Sequence, residues 1–227
     1  MRALPLLALL AVGSTSAFAR VTETRKIADF AAIDVSGGVT LEVKKGPTSL
    51  TIEGDPEVVK AYATDVVGDV LKIHNTAKTW FKSTGDVIVR VTTPSLSRLE
   101  ASGGVHASLL DVAAPKFSAD LSGGVDLSAQ KVQLDSLNLE ASGGVTVAMS
   151  GKARSAKLSL SGGVEVKAKN LEVAEVAVDA SGGCNLDITA KDSITGEASG
   201  GVGLTVHGKP PKSRVHTSGG ADVEYVD

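Results

Sequence analysis

Cysteine is almost missing from this 227-residue chain: Cys184 stands alone, so no internal disulfide can brace the fold. Aromatic residues make up only 3% of the sequence. That scarcity removes the stacking platforms on which single-stranded nucleic acids are held, and it thins any sugar-binding groove built on rings. No excess of positive charge compensates, because 23 basic residues face 26 acidic ones for a net charge of -3. The polybasic footprint of a nucleic-acid binder is absent. Beyond the first residues there is no apolar run long enough to span a bilayer.

The one sustained apolar run, Leu4 to Val12, follows Met1 and Arg2 and leads to Ala17-Phe18-Ala19. A short positive start, a brief apolar stretch and a small-x-small site are the parts of a secretory signal. The reading is a signal peptide over residues 1–19 and a mature single domain over 20–227, with no transmembrane segment after cleavage. The protein is then exported, to the periplasm, the outer surface of the cell envelope or the secreted fraction.

What the chain has in abundance is glycine, with 25 residues, and Ser-Gly-Gly recurs eight times, from Ser36, Ser102, Ser122, Ser142, Ser161, Ser181, Ser199 and Ser218. Successive copies lie 66, 20, 20, 19, 20, 18 and 19 residues apart. A period near 20 marks a stacked repeat. The leucine-rich frame of that length is missing, and so is the glycine-aspartate pattern of calcium-binding rolls. Alignment on Ser gives strict alternation. Three residues on stand Val39, Val105, Val125, Val145, Val164, Cys184, Val202 and Ala221, and five on stand Leu41, Ala107, Leu127, Val147, Val166, Leu186, Leu204 and Val223. Period two means strands with one buried face. Equivalent strands run the same way in each copy and stack as parallel ladders about 4.8 Å apart. The expectation is all-β: a single-stranded parallel β-helix, or solenoid, of roughly 20-residue coils. The chain must bend once per coil, and glycine reaches bend dihedrals without a Cβ clash. That assigns structural bends to Gly103, Gly104, Gly123, Gly124, Gly143, Gly144, Gly162, Gly163, Gly182, Gly183, Gly200, Gly201, Gly219 and Gly220. The serines are bend residues, not nucleophiles, and Cys184 is a buried, inert thiol in a place that valine fills elsewhere.

Residues 29–48 form the first coil, 49–95 an irregular N-terminal segment, and 96–227 the regular coils. Within the irregular part, strands are expected over 49–53, 70–74 and 87–92. Asp55-Pro56-Glu57 opens one short helix reaching Asp65, with Asp as N-cap and Pro at the first helical position. Residues 76–85 read as a hairpin loop whose Trp80 and Phe81 either close the solenoid's end or make a contact surface. The last copy carries Thr217 and Ala221 at inward positions, as a polar terminal cap does.

These features resemble a known family. The opening FAAIDVSGGVTLEV, the middle VLKIHN and VIVRVTTPSLSRLEASGGV, and the repeated SGGV coils are similar to those of bacterial exported proteins of the "putative auto-transporter adhesin, head GIN domain" family. The resemblance spans the chain from about Phe30 to the end. It implies a right-handed parallel β-helix in the cell envelope or outside it, and it brings no active-site residues.

The candidate site is a column of acids two residues before each Ser: Asp34, Glu100, Asp120, Glu140, Asp179 and Glu197, with Ser159 and His216 in the remaining copies. Asp120, Glu140, Asp179 and Glu197 are the proposed binding residues, against a solvated face that merely keeps the protein wet. Arg98, Lys157 and Arg214, four before Ser, offer partial neutralisation. No catalytic residue, metal site or cofactor is read. His74, His106, His207 and His216 show no ligand spacing. The first functional reading is a non-enzymatic, adhesin-like surface protein that presents a flat face to an unknown protein or glycan. The alternatives are a polysaccharide-active enzyme, for which paired carboxylates and a basic groove are not apparent, and a structural protein that self-associates through the solenoid ends.

Overall fold

A computed structural model describes residues 20–76 and 86–227. The expected signal peptide, and Trp80 and Phe81 in the expected hairpin loop, lie outside the described residues. Among the described residues the fold is all-β with one short helix, and thirteen strands join in one sheet of mixed parallel and antiparallel pairing.

From Arg98 onward the pairing is parallel and follows the repeat. Strands β8 (Arg98–Leu110), β9 (Ala113–Gly182), β10 (Asn185–Gly200), β11 (Gly203–His207), β12 (Lys212–Gly219) and β13 (Asp222–Val226) carry seven of the eight copies. β8 lies on β9 with Ser102 opposite Ser122 and Val105 opposite Val125. β10 lies on β9 with Ser199 opposite Ser181, and β12 lies on β10 with Ser218 opposite Ser199. The valines three after each serine are fully buried, as are Leu127, Val147, Val166 and Leu186 two further on. Cys184 takes the valine place with no exposed surface, its Sγ 3.2 Å from the Ser181 carbonyl oxygen. Phe117 and Leu139 are among the largest side chains fully buried in this interior.

The first copy joins the ladder across the 66-residue gap. β2 (Ala32–Ser36) and β3 (Val39–Lys45) pair in parallel with β8, with Ser36 opposite Ser102 and Val39 opposite Val105. The segment between them builds outward on the far side. β6 (Val70–Asn75) adds to β2 and β7 (Val87–Thr93) to β3, both parallel.

Here the wholly parallel ladder gives way. β1 (Val21–Arg25) pairs antiparallel with β4 (Ser49–Gly54), β4 antiparallel with β7, and β5 (Tyr62–Val67) antiparallel with β6. The cause is local for β5 and β6: Gly68-Asp69 joins them in a two-residue turn with Gly68 at φ +66. A connection that short permits only an antiparallel pair.

The helix is also shorter than expected. α1 spans Pro56–Ala61, and Tyr62 already begins β5 instead of extending the helix to Asp65. The Thr64, Val66 and Val67 side chains favour strand over helix, and pairing with β6 satisfies their backbone. α1 contacts β1, β4 and β5 and buries Val58 and Val59 with the adjoining Tyr62. It thereby covers the N-terminal end of the core. At the other end Thr217 is exposed and Ala221 and Val223 are only partly buried.

Candidate functional site

The bend that repeats in each copy aligns the residues before it. Asp34, Glu100 and Asp120 occupy consecutive rungs, and Asp179 and Glu197 are direct neighbours further along, with His216 next. Strand alternation turns them outward while Leu99, Ala101 and Leu121 point in. Asp34, Glu100, Asp120, Glu140, Ser159 and Asp179 line an open trough of about 610 Å³, together with the motif serines Ser102, Ser122, Ser142, Ser161 and Ser181. Glu197 continues the column beyond the trough. The structure thus brings together three of the four proposed binding residues in one concavity and places the fourth beside them.

The trough keeps part of its charge uncompensated. Arg98 pairs with Glu100 at 2.8 Å, and Asn138 Nδ2 donates to Glu140 Oε1 at 3.1 Å. Asp120 is half-buried. Desolvation, then the negative charges of Glu140 and Glu100, push its pKa above the ordinary aspartate value, with Arg98 opposing. Such a row attracts cationic groups and supplies serine hydroxyls as hydrogen-bond partners. Among the described residues no three His, Cys, Asp or Glu side chains converge to hold a metal ion.

The left-handed backbone falls on the first glycine of each pair. Gly143 has φ +95, and a Cβ there would lie 3.1 Å from the backbone nitrogen and oxygen of Gly123. At Gly144 the nearest neighbour would be 3.8 Å away.

Two features escaped the sequence pattern. Histidines meet aspartates from neighbouring rungs: His106 Nδ1 lies 2.9 Å from Asp126 Oδ2, and His207 Nε2 lies 2.6 Å from Asp187 Oδ1. The signal is an offset of four after Ser in two successive copies for the first pair, visible only once the copies are stacked. Second, the apparent lack of a basic groove is corrected. Lys131, Lys152 and Arg154 line a groove of about 1010 Å³ on another side of the ladder. Its basic residues stand at different offsets from the motif serines, Lys131 nine after Ser122 and Lys152 ten after Ser142.

The stacked copies thus form one ladder with open grooves along its sides. The model of the family "Putative auto-transporter adhesin, head GIN domain" matches residues 29–210, and the chain belongs to that family. Solved structures agree in fold. A "putative adhesin" from Bacteroides fragilis NCTC 9343 is 18% identical, covers 92% of this chain and 97% of its own, and superposes with a TM-score of 0.84. A "putative lipid binding protein" from Parabacteroides distasonis ATCC 8503 is 14% identical with the same coverage and a TM-score of 0.69. A "putative adhesin" from Parabacteroides merdae ATCC 43184 is 19% identical, covers 92% and 96%, and reaches 0.61. At these identities the likeness is one of fold. No curated protein matches the chain. No helix among the described residues is long and apolar enough to cross a membrane.

Proposed function

We propose that this is an exported, non-enzymatic, adhesin-like protein of the cell envelope. Residues 1–19 are removed, and 20–227 form a single domain wound as a right-handed β-helix. It binds a protein or glycan partner along the acid and serine trough. Family membership supports the adhesin-like role. The observation that carries the site is the alignment of Asp34, Glu100, Asp120, Glu140 and Asp179 with the motif serines in one open concavity. A rigid ladder holds these groups in place before the partner arrives, so little ordering entropy opposes binding. Its occupant presents cationic or hydroxyl groups at a repeat near the rung spacing of about 4.8 Å.

The test is binding of residues 20–227 to arrays of glycans and extracellular-matrix proteins, beside an Asp120→Asn, Glu140→Gln, Asp179→Asn variant. Targets captured by the parent and lost by the variant support the trough. An unchanged target profile overturns it.

A further inference from the structure

The groove lined by Lys131, Lys152 and Arg154 belongs to a longer basic ridge. It follows the strand that runs on from each Ser-Gly-Gly, where the backbone turns the next corner. The Asp111 backbone N–H donates to the Gln130 carbonyl oxygen at 3.1 Å, and the Lys131 N–H reaches Ser150 Oγ at 3.5 Å, so these corners stack. Thr189 Oγ1 donates to the Lys169 carbonyl oxygen at 2.7 Å, and the register of Thr189 with His207 sets Lys191 beside Lys209. Five of the six corners therefore present a lysine: Lys131, Lys152, Lys169, Lys191 and Lys209, all exposed.

The backbone gives a second reason to regard these lysines as selected for charge. Lys131 and Lys209 have φ of +56 and +49, a left-handed conformation that lysine adopts at a cost and glycine adopts freely. Of the corners beside Lys131, one carries Asp111, also left-handed at φ +60, and the other Gly151, at φ +130 and stacked on Val132. Strain held at an exposed position points to a role outside folding. Only part of the charge is neutralised: Lys152 lies 3.6 Å from Glu172, Lys209 pairs with Asp227, and Asp111 and Asp135 line the groove. Among the described residues Lys131, Lys169 and Lys191 form no ion pair.

We infer that this ridge and its groove are a docking surface for an acidic polysaccharide, a linear sugar polymer bearing carboxylates. The rungs that carry these lysines repeat at about 4.8 Å, close to the spacing of units in a polymer with a negative charge on each. Gln133, which lines the groove, adds an amide for sugar hydroxyls. Among the described residues no aromatic side chain lines the groove to stack a nucleobase.

The experiment measures binding of residues 20–227 to polygalacturonate, to neutral dextran and to duplex DNA over a range of salt. Polygalacturonate binding that weakens with salt is expected, with none to dextran. A Lys152→Gln, Lys169→Gln, Lys191→Gln variant weakens it at least about tenfold. A Lys26→Gln, Lys60→Gln, Lys72→Gln variant makes the same change in net charge in the first part of the molecule and leaves it intact. Lys131→Gly separates binding from folding: it melts no lower than the parent yet binds the polymer more weakly. No binding by the parent, equal loss in both triple variants, tighter binding to DNA, or a lower melting point with unchanged binding in Lys131→Gly each overturns the inference.

Discussion

The two parts of this molecule reach the same interior by different means. From Arg98 to Val226 the strand pairs across β8 to β13 are parallel, and the glycines of each motif stack on those of the copy before it. From Val21 to Thr93 the strands pair in both senses, and one helix of six residues closes the core. Repetition propagates a ladder but has no internal signal to stop. The first part supplies that stop through elements unlike the repeat: a tight hairpin, two antiparallel strands and a plug. In the ladder, stability therefore depends on backbone approach between copies. In the first part it depends on individual side chains that tie unlike elements together.

The largest effect should come from breaking the ladder's close approach. Gly196 has φ +146, and a Cβ there would overlap the carbonyl of Val178 on the neighbouring rung. The obstacle is backbone, so no side-chain movement relieves it. Gly196→Ala should cost about 4 kcal/mol or more, enough to lower Tm by roughly 10 °C or to prevent folding. Gly144→Ala adds its methyl where the nearest neighbour is 3.8 Å away and should fall within about 1 kcal/mol of the parent. Thermal melts of both decide the matter. Equal melting points would show that rung approach does not limit the ladder.

The matching test in the first part removes one side chain. Arg25 Nη1 donates to the Tyr62 carbonyl at 2.6 Å and to Thr64 Oγ1 at 3.0 Å, while Nη2 donates to the Val59 carbonyl at 3.0 Å. One guanidinium thus satisfies the end of α1, complements its dipole and ties β1 to β5. Arg25→Ala should cost about 2 kcal/mol in urea unfolding. Arg25→Lys should recover only part, since an ammonium lacks the planar fork. Full recovery by lysine would mean that charge alone matters there.

The parts also differ in the sign of their pH response. In the first part, Glu53 accepts a hydrogen bond from Arg90 Nη1 at 2.7 Å, and that bond, with the charges of Arg90 and Arg20, holds its pKa below the ordinary value against a smaller desolvation effect. Its stabilising contribution is present above the ordinary glutamate value and is lost as pH falls from there through the lowered one. Asp120 in the trough is the reverse. Its raised pKa means that the folded state binds the proton more tightly than the unfolded chain does. Its contribution falls as pH rises from the ordinary aspartate value through the raised one, and stays low above it. Asp120→Asn should therefore stabilise the protein slightly at neutral pH and leave it unchanged in acid. Glu53→Gln should destabilise it at neutral pH and converge with the parent in acid. Melting curves across that range check both. A neutral-pH loss for Asp120→Asn would mean that the trough acids are held by partners, not merely crowded.

The same contrast explains what could be read in advance. The ladder was legible because one period fixed everything: Ser spacing gave the register, and alternation gave the buried face down to Cys184. The acid column followed from the same alignment. The first part was less legible because propensity competes with pairing there. Asp55 and Pro56 mark where α1 begins, but only pairing with β6 ends it before Tyr62. Seven of the proposed bend glycines stand second in their pairs, and the sequence cannot tell a left-handed Gly143 from its ordinary neighbour Gly144. The lysine ridge was hidden because its members sit at no constant distance from Ser.

The smallest expected effect tests whether the ladder tolerates exchange between its own copies. Cys184 is fully buried where other copies place valine, and its Sγ lies 3.2 Å from the Ser181 carbonyl and 3.6 Å from that of Gly162. Valine is β-branched and suits the strand, but it gives up a weak S–H bond and needs slightly more room. These effects oppose each other, so Cys184→Val should change stability by less than about 1.5 kcal/mol in either direction. Cys184→Ser should do worse despite its smaller size, because burying a hydroxyl costs about 1–3 kcal/mol unless its bond to the Ser181 carbonyl is well aligned. The thiol itself reports on the ladder. With no exposed surface, it should react with a thiol reagent only when the ladder opens, at a rate that follows global unfolding as urea is added. Fast labelling in the absence of urea would show that the copies around Cys184 separate locally, and that the ladder is weaker at its middle than at its sealed first end.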